Sequence, residues 1–326
     1  MIGNILFTFK NAKISGISGC VPKNKIKNQL SHKEKNYVGV ESKYFDQNGN
    51  IKTSDLCFNA AKTLLKKLNW SNKDIKYILF VSQTRNYVFP STACILQDKL
   101  NLNKDVFAFD IPLGCSGFIY GLINSFLLTE KFKGKGLLLL GDMSNKFVDI
   151  DDKQNLILFG DAGVALGIDY SALKTKSFFT FGTDGSGSEY IKYDSDQFDN
   201  KFKGQFTMKG GNVFQYMSKK IPIEISEILK KSKVKLKDIN YFVPHQASKF
   251  LIDTISEKIK INYKNVLFSL RKYGNTNSAS IPITLLNEKN KIKNAKILIS
   301  GFGVGLSWGV GILDLKDVKF TNIAKL

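Results

Sequence analysis

A chain of 326 residues with 43% hydrophobic content is long enough to bury one large core or two medium ones, and none of its apolar stretches approaches the roughly 18 residues that would span a bilayer. The formal charge is +20, but lysine is spread along the chain and the only arginines are Arg85 and Arg271; without clustered Arg/Lys and interleaved aromatics the sequence does not read as a nucleic-acid binder. The diffuse lysine still favours an acidic partner, through salt-sensitive attraction.

The N-terminal MIGNILFTFK is too short for a signal peptide and lacks its basic start, so a cytoplasmic protein with no membrane contact is expected. The cysteines Cys20, Cys57, Cys94 and Cys115 are too widely spaced for a zinc site or a disulfide framework. They read as reduced thiols, with no metal.

In chain order, periodicity predicts a helix over 54–68, a strand Ile75–Val81, a helix over 91–100 and a strand Val106–Ile111. A helix over 116–131 and strands Gly136–Leu140 and Val164–Ile168 follow. A polar loop over 182–204 leads to a helix over 212–231, a strand Tyr241–Val243 and a helix over 247–259. Then come a strand Val266–Leu270, a helix over 278–288, and strands Lys296–Ser300 and Val310–Leu313. Such alternation argues for α/β sheets covered by helices. LKKLNWSNKDIKY from Leu65 is echoed by LKKSKVKLKDINY from Leu229, 164 residues on. LLLLGD from Leu137 is echoed by ILISGF from Ile297, 160 residues on. A period this long is no solenoid; it predicts two similar half-chains, 1–170 and 171–326, with no Pro/Gly/Ser-rich linker.

DIPLGCSGFIYGL, residues 110–122, sets Cys115 between two glycines where a predicted strand turns into a predicted helix. Glycine permits a tight turn and close backbone approach. A helix N-terminus stabilises a thiolate by up to about 2 kcal/mol, roughly one to one and a half pKa units below the ordinary 8.5 or so. The corner alone does not separate a nucleophile from an inert buried thiol.

Of the two histidines, His32 in SHKEKN reads as a solvated loop residue. His245 ends the strand YFVPHQAS, and its repeat counterpart is Val81, so the imidazole is an addition to the shared scaffold. A hydrogen-bonded structural histidine is the other reading. RKYGNTNSASIP presents Asn275 after a glycine turn; its carboxamide donates and accepts without titrating. The alternative there is a helix N-cap, a role that Asn277 or Ser278 also suits. All three groups lie just past predicted strand ends, where open α/β sheets place their sites. Cys, His and Asn fit a hydrolase of the papain kind or an acyl-transfer enzyme holding its substrate on sulfur.

GCSGF, VPHQAS and YGNTNSASIP, in that order, resemble the Cys-His-Asn condensing enzymes of the thiolase fold, and above all the beta-ketoacyl-acyl-carrier-protein synthase III family. FPSTACILQDKL, LILFGDAGVALGI, MKGGNVFQYM and GFGVGLSWG fit the same family. The resemblance implies a duplicated five-layer αβαβα sandwich, a homodimer, an acyl-carrier-protein partner, and no metal or redox cofactor. It implies that Cys115 accepts an acyl group from an acyl-CoA or acyl-carrier thioester. Malonyl-carrier protein then loses CO2 and condenses with the acyl-enzyme, His245 and Asn275 binding the enolate oxygen. The Cys115 and Val304 amides would form the oxyanion hole. Phe159 and Phe302 would line the acyl pocket, with the Phe89 position reaching into the partner subunit's pocket.

The chain also departs from the family pattern. Many members carry glycine at the Val304 position. NYVGVESKY lacks the Trp and Arg that clamp the adenine of coenzyme A, leaving Lys153 near the second clamp position and Gly211 in the glycine pair of MKGGNVFQYM. Where the family reads Gln-Ala-Asn-x-Arg, this chain reads Gln246, Ala247, Ser248, Lys249, Phe250, so the carrier contact passes to Lys249 or is lost. These changes point away from acetyl-CoA as donor, towards a carrier protein or an unusual CoA. The alternative function is transfer of the acyl group to a hydroxyl or amine without condensation.

Overall fold

The computed structural model describes residues 5–149, 151–172, 176–194 and 205–326. Its strands are β1 (Phe7–Phe9), β2 (Ala12–Val21), β3 (Lys25–Lys27), β4 (Ser42–Tyr44), β5 (Ile75–Val81), β6 (Phe107–Ile111), β7 (Lys135–Asp142), β8 (Ala162–Tyr170), β9 (Ser177–Thr183), β10 (Ile191–Asp194), β11 (Gln205–Met208), β12 (Tyr241–Pro244), β13 (Lys296–Gly303), β14 (Ser307–Asp314) and β15 (Lys319–Lys325). The helices are α1 (His32–Tyr37), α2 (Thr53–Leu68), α3 (Thr92–Lys99), α4 (Gly117–Phe132), α5 (Lys153–Leu156), α6 (Gly210–Ser232), α7 (Lys249–Lys258), α8 (Leu270–Tyr273) and α9 (Ser280–Asn287).

Two mixed sheets organise these elements. One runs β15-β2-β8-β7-β5-β6, the other β1-β9-β14-β13-β12. Side-chain alternation makes the layers. In β5, Tyr77, Leu79 and Val81 face the central core, while Ile78 and Phe80 face outward onto α2 and α3. In β13, Ile297 and Ile299 join that central core, and Leu298 and Phe302 pack outward with α6 and α7. Strands covered on both faces carry near-continuous apolar runs, which is why both LLLLGD and ILISGF are so hydrophobic. Helices α4 and α9 fill the space between the sheets. The result is the five-layer αβαβα sandwich of the thiolase fold.

The repeat is visible in the backbone. Helices α2 and α6 both end on a left-handed residue, Asn69 (φ 55°) and Lys233 (φ 58°). A 3-10 turn follows each, Asn72–Asp74 and Leu236–Asp238, before the chain enters β5 or β12. The chain ends cross over: β1 edges the sheet built from the second half of the sequence, and β15 pairs in parallel with β2 in the other.

The expected strand Val266–Leu270 does not form. Val266 makes one isolated bridge, to Phe242, and the Leu267 amide bonds the Phe242 carbonyl (2.9 Å). Beyond that, the buried Gln246 carboxamide takes the backbone amides of Ser269 (2.9 Å) and Leu270 (3.1 Å), and α8 begins. A side chain has replaced the ladder, and apolar periodicity carries no sign of that. The expected loop over 182–204 instead holds the end of β9, a 3-10 turn Gly185–Tyr190 and β10; residues 195–204 lie outside the described residues. Among the described residues, no helix is long and apolar enough to cross a membrane, and none of the four cysteines forms a disulfide.

Candidate active site

Cys115 sits between β6 and α4, 8% exposed. A Cβ on Gly303 would stand 2.7 Å from the Cys115 Cβ and 2.9 Å from its Sγ, so the end of β13 reaches the sulfur only because residue 303 is glycine. The Val304 and Cys115 backbone amides act to favour the thiolate. Burial, and secondarily the charge of Asp142, outweigh them and push the thiol up to about 12. The expected net depression at the helix N-terminus is thus overturned: the resting group is a protonated thiol, donating to Asn277 Oδ1 at 3.3 Å.

His245 follows Pro244 at the end of β12, and its amide bonds the Ser300 carbonyl of β13 (2.7 Å). The ring is 1% exposed and lies edge-on to Phe302, centroids 5.7 Å apart. Burial pulls its pKa down to about 3, against the opposing bond to the Asn277 backbone, so the imidazole is neutral at physiological pH. Nδ1 lies 2.7 Å from Ser280 Oγ. The tautomer in which the serine hydroxyl donates to Nδ1 is the one that carries its proton on Nε2.

Asn275 follows Gly274, whose φ of +69° suits glycine. Backbone bonds to Leu158 (2.9 Å) and Gly160 (3.1 Å) pin the residue from both sides. Its Oδ1 accepts from the Asn277 amide (2.9 Å), which leaves Nδ2 as a donor. The helix-cap alternative holds in part: Asn275 Oδ1 takes the amide of Asn277, the first residue of the 3-10 turn Asn277–Ala279, whereas the Asn277 side chain turns to Cys115 and Ser144 and Ser278 Oγ donates to Asp142 Oδ2 (2.8 Å).

Cys115, His245 and Asn275 line one cavity of about 460 Å3. Phe302, Val304 and Phe159 line it too, Phe159 lying edge-on to Phe206 of the β10–β11 hairpin. Four expected contacts lie away from this lining. Phe89 is 83% exposed on the surface. Lys153 opens the short α5 with its side chain exposed. Lys249 is ion-paired with Asp253 one turn along α7. Gly211 is exposed in the first turn of α6 and has open space where a Cβ would stand. The cavity mouth carries a run of stacked rings, Tyr37 on Phe250 (5.1 Å) and Phe250 on Phe214 (4.8 Å).

Two family profiles match this chain: 3-oxoacyl-acyl-carrier-protein synthase III over residues 109–186, spanning Cys115, and its C-terminal profile over residues 229–315, spanning His245 and Asn275. A beta-ketoacyl-acyl-carrier-protein synthase III of Clostridium perfringens is 32% identical over 94% of this chain and all of its own length. One from Clostridium tetani is 33% identical over 86% of this chain and 88% of its own. The chain belongs to the beta-ketoacyl-acyl-carrier-protein synthase III family. Solved structures agree: a 3-oxoacyl-(acyl-carrier protein) synthase of Burkholderia xenovorans superposes with TM-score 0.94 over the whole of both chains at 28% identity. The synthase III of Aquifex aeolicus gives 0.84 over 93% of this chain and 99% of its own, at 29% identity.

For a synthase III, the residues around the three named groups carry much of the geometry. Ser280 holds the His245 ring, Asn277 touches Cys115 and orients Asn275, and Gln246 shapes the segment that leads to Asn275. Their signal in the sequence was adjacency alone: Asn277 and Ser280 stand two and five positions after Asn275, and Gln246 directly after His245. Which partner each meets is set by the tertiary fold.

Proposed function

We propose that this synthase III makes a β-ketoacyl-acyl-carrier protein through an acyl-Cys115 intermediate. The Cys115 proton passes to solvent, the thiolate sulfur attacks the carbonyl carbon of an acyl thioester, and the donor's pantetheine leaves as a thiolate that takes a proton from solvent. Malonyl-acyl-carrier protein then loses CO2, its enolate carbon attacks the acyl carbon, and Cys115 regains its proton from solvent. His245 Nε2–H and Asn275 Nδ2–H donate to the thioester oxygen as it gains enolate charge, where stabilisation counts most. The Cys115 and Val304 amides donate to the acyl carbonyl oxygen.

The observation that carries this reading is the donor pair. A buried neutral imidazole and a carboxamide with its oxygen already occupied both face the cavity of the thiol, and neither is poised as a base. That arrangement favours enolate binding over hydrolysis or transfer to a hydroxyl. Release of CO2 from malonyl-carrier protein, dependent on an acyl adduct at Cys115 seen by intact-protein mass spectrometry, is the test. An adduct that passes its acyl group to a hydroxyl or amine with no CO2 release would overturn it.

The stacked mouth supports a carrier-protein donor over acetyl-CoA, since the faces of Phe250 are covered by Tyr37 and Phe214 and are not free to receive an adenine. The pairing of Lys249 with Asp253 leaves the carrier contact to other surface lysines. The exposed Tyr87, Val88 and Phe89, at 52%, 71% and 83%, support a homodimer with Phe89 reaching into the partner subunit's acyl pocket. The repeat supports an evolutionary unit of half a chain, with Cys115 in 1–170 and His245 and Asn275 in 171–326.

A further inference from the structure

Four successive carbonyls, from the end of α5 towards β8, are taken up one at a time. Lys43 Nζ donates to that of Leu156, Asn28 Nδ2 to that of Ile157 (2.8 Å), the Asn275 amide to that of Leu158 (2.9 Å), and Asn145 Nδ2 to that of Phe159 (3.0 Å). The Gly160 amide returns a bond to the Asn275 carbonyl (3.1 Å). Residues 156–161 thus form a strap that meets Asn275 through one isolated bridge, with side chains in place of a sheet ladder on its other carbonyls. Leu158 and Phe159 line the cavity, so one strap carries a cavity wall and holds the backbone of Asn275.

Lys43 of β4 ties this arrangement together. The residue is 5% exposed. Its Nζ also donates to Asn145 Oδ1 (3.1 Å), and the Asn145 amide nitrogen reaches Asp161 Oδ1 as well (3.2 Å). A Cβ on Gly274 would lie 3.4 Å from the Lys43 Cβ, and one on Gly160 3.5 Å, so the lysine stem covers the junction of the strap with the Asn275 turn. Burial pulls its pKa down to about 8, against the charge of Asp161. A neutral amine keeps two N–H groups, one for each acceptor, so the brace holds on either side of that value. Asn275 serves the reaction only where its Nδ2 meets the enolate oxygen, and a displacement of about 1 Å can cost roughly 100-fold. Cys115 takes its place from β6 and α4 instead.

We propose that Lys43 is a positioning residue for condensation: through the 156–161 strap it aims the Asn275 carboxamide at the enolate oxygen. The inference rests on the condensation reading above and adds to it the residue that sets the second donor.

The test times the two steps separately in the full-length protein. Loading is read by intact-protein mass spectrometry with butyryl-pantetheine, and condensation by single turnover of the preloaded protein with malonyl-acyl-carrier protein. Lys43→Met keeps the stem and removes the donor. It should lower condensation about 10- to 100-fold and change loading by less than about threefold. Asn28→Leu, at a half-buried position, frees the Ile157 carbonyl and, off the strap, that of Val40. It should lower condensation about threefold and takes the place of Lys43→Met should that variant fail to fold. The deciding measurement is a double-mutant cycle. Asn275→Ala alone should lower condensation about 100- to 1000-fold. Adding Lys43→Met should lower it by no more than about twofold further, because the group that the strap aims is gone. Unchanged condensation in Lys43→Met, losses that multiply in the cycle, or equal loss in loading and condensation overturn this inference alone. An unsubstituted protein that loads but releases no CO2 from malonyl-carrier protein overturns the condensation reading and this inference with it.

Discussion

Cys115 and Asn275 occupy corresponding corners of the two half-chains, and the corners are built differently. Each residue follows a glycine, Gly114 or Gly274, and the two pairs lie 160 residues apart, the same offset as LLLLGD and ILISGF. At the first corner the backbone supplies the support. All five residues of β6 pair with β5, and a helix of 16 residues follows. At the second corner the equivalent strand shrinks to the Phe242–Val266 bridge, and Gln246 holds the released amides. The difference matches the tasks. A sulfur on a short side chain is placed once its Cα is placed. A carboxamide must also be aimed, and polar side chains can aim it where a strand would set only its Cα. The adjoining strand ends differ likewise: Val81 packs into the core, where its counterpart His245 faces the cavity.

Breaking the first corner should have the largest effect. Cys115→Ser removes the acyl adduct and lowers turnover by about three decades or more, read by intact mass and by product formation. An adduct that persists elsewhere on the chain would dismiss Cys115 as the nucleophile.

The donor side should fail differently, one step later. His245→Ala is expected to keep loading within a factor of a few and to lower CO2-linked condensation by about 100- to 1000-fold, the usual cost of one oxyanion donor. Single-turnover assays of the two steps separate them. Equal loss in both would mean that His245 serves the thiol and that the two corners do not divide the labour.

Gln246→Leu sharpens the structural contrast. It leaves the Ser269 and Leu270 amides buried and unpartnered, which should cost about 2–4 kcal/mol in urea unfolding. At the first corner the strand itself is held by its register with β5. A loss under about 0.5 kcal/mol would show that the segment finds other partners.

The layered α/β fold, the repeat and the three groups that meet in the cavity were legible because each leaves a local mark: near-continuous apolar runs, Lys-Lys helix ends leading through Lys-Asp-Ile into a strand, glycines beside Cys115 and Asn275. The strand Val266–Leu270 misled because VLFSL is apolar enough to be one, and the competing bond comes from a side chain 20 or more residues earlier. Edge strands β1 and β15 escaped notice because they join the sheet of the opposite half. The protonated state of Cys115 is hidden from the sequence for a similar reason. A helix N-terminus is visible in sequence, whereas the burial that overrides it belongs to the packed cavity.

A pH slope distinguishes the two corners without any substitution. Loading needs the thiolate. With the thiol pushed up to about 12, the thiolate fraction rises roughly tenfold for each pH unit below that value, and the loading rate should rise with it across about pH 7–9. Asp142, buried and pushed up to about 6, is ionised throughout that window, so its charge adds no curvature. Condensation by enzyme already acylated should be flat across the same range: His245, pulled down to about 3, stays neutral, and Asn275 does not titrate. Stopped-flow loading and preloaded single-turnover condensation give the two profiles. A loading rate already level at pH 7 would mean that the backbone amides and the helix N-terminus prevail once substrate enters. A condensation rate that falls as pH drops from 8 to 7 would mean that the histidine gains a proton in the working complex, removing the neutral donor on which the division between the corners depends.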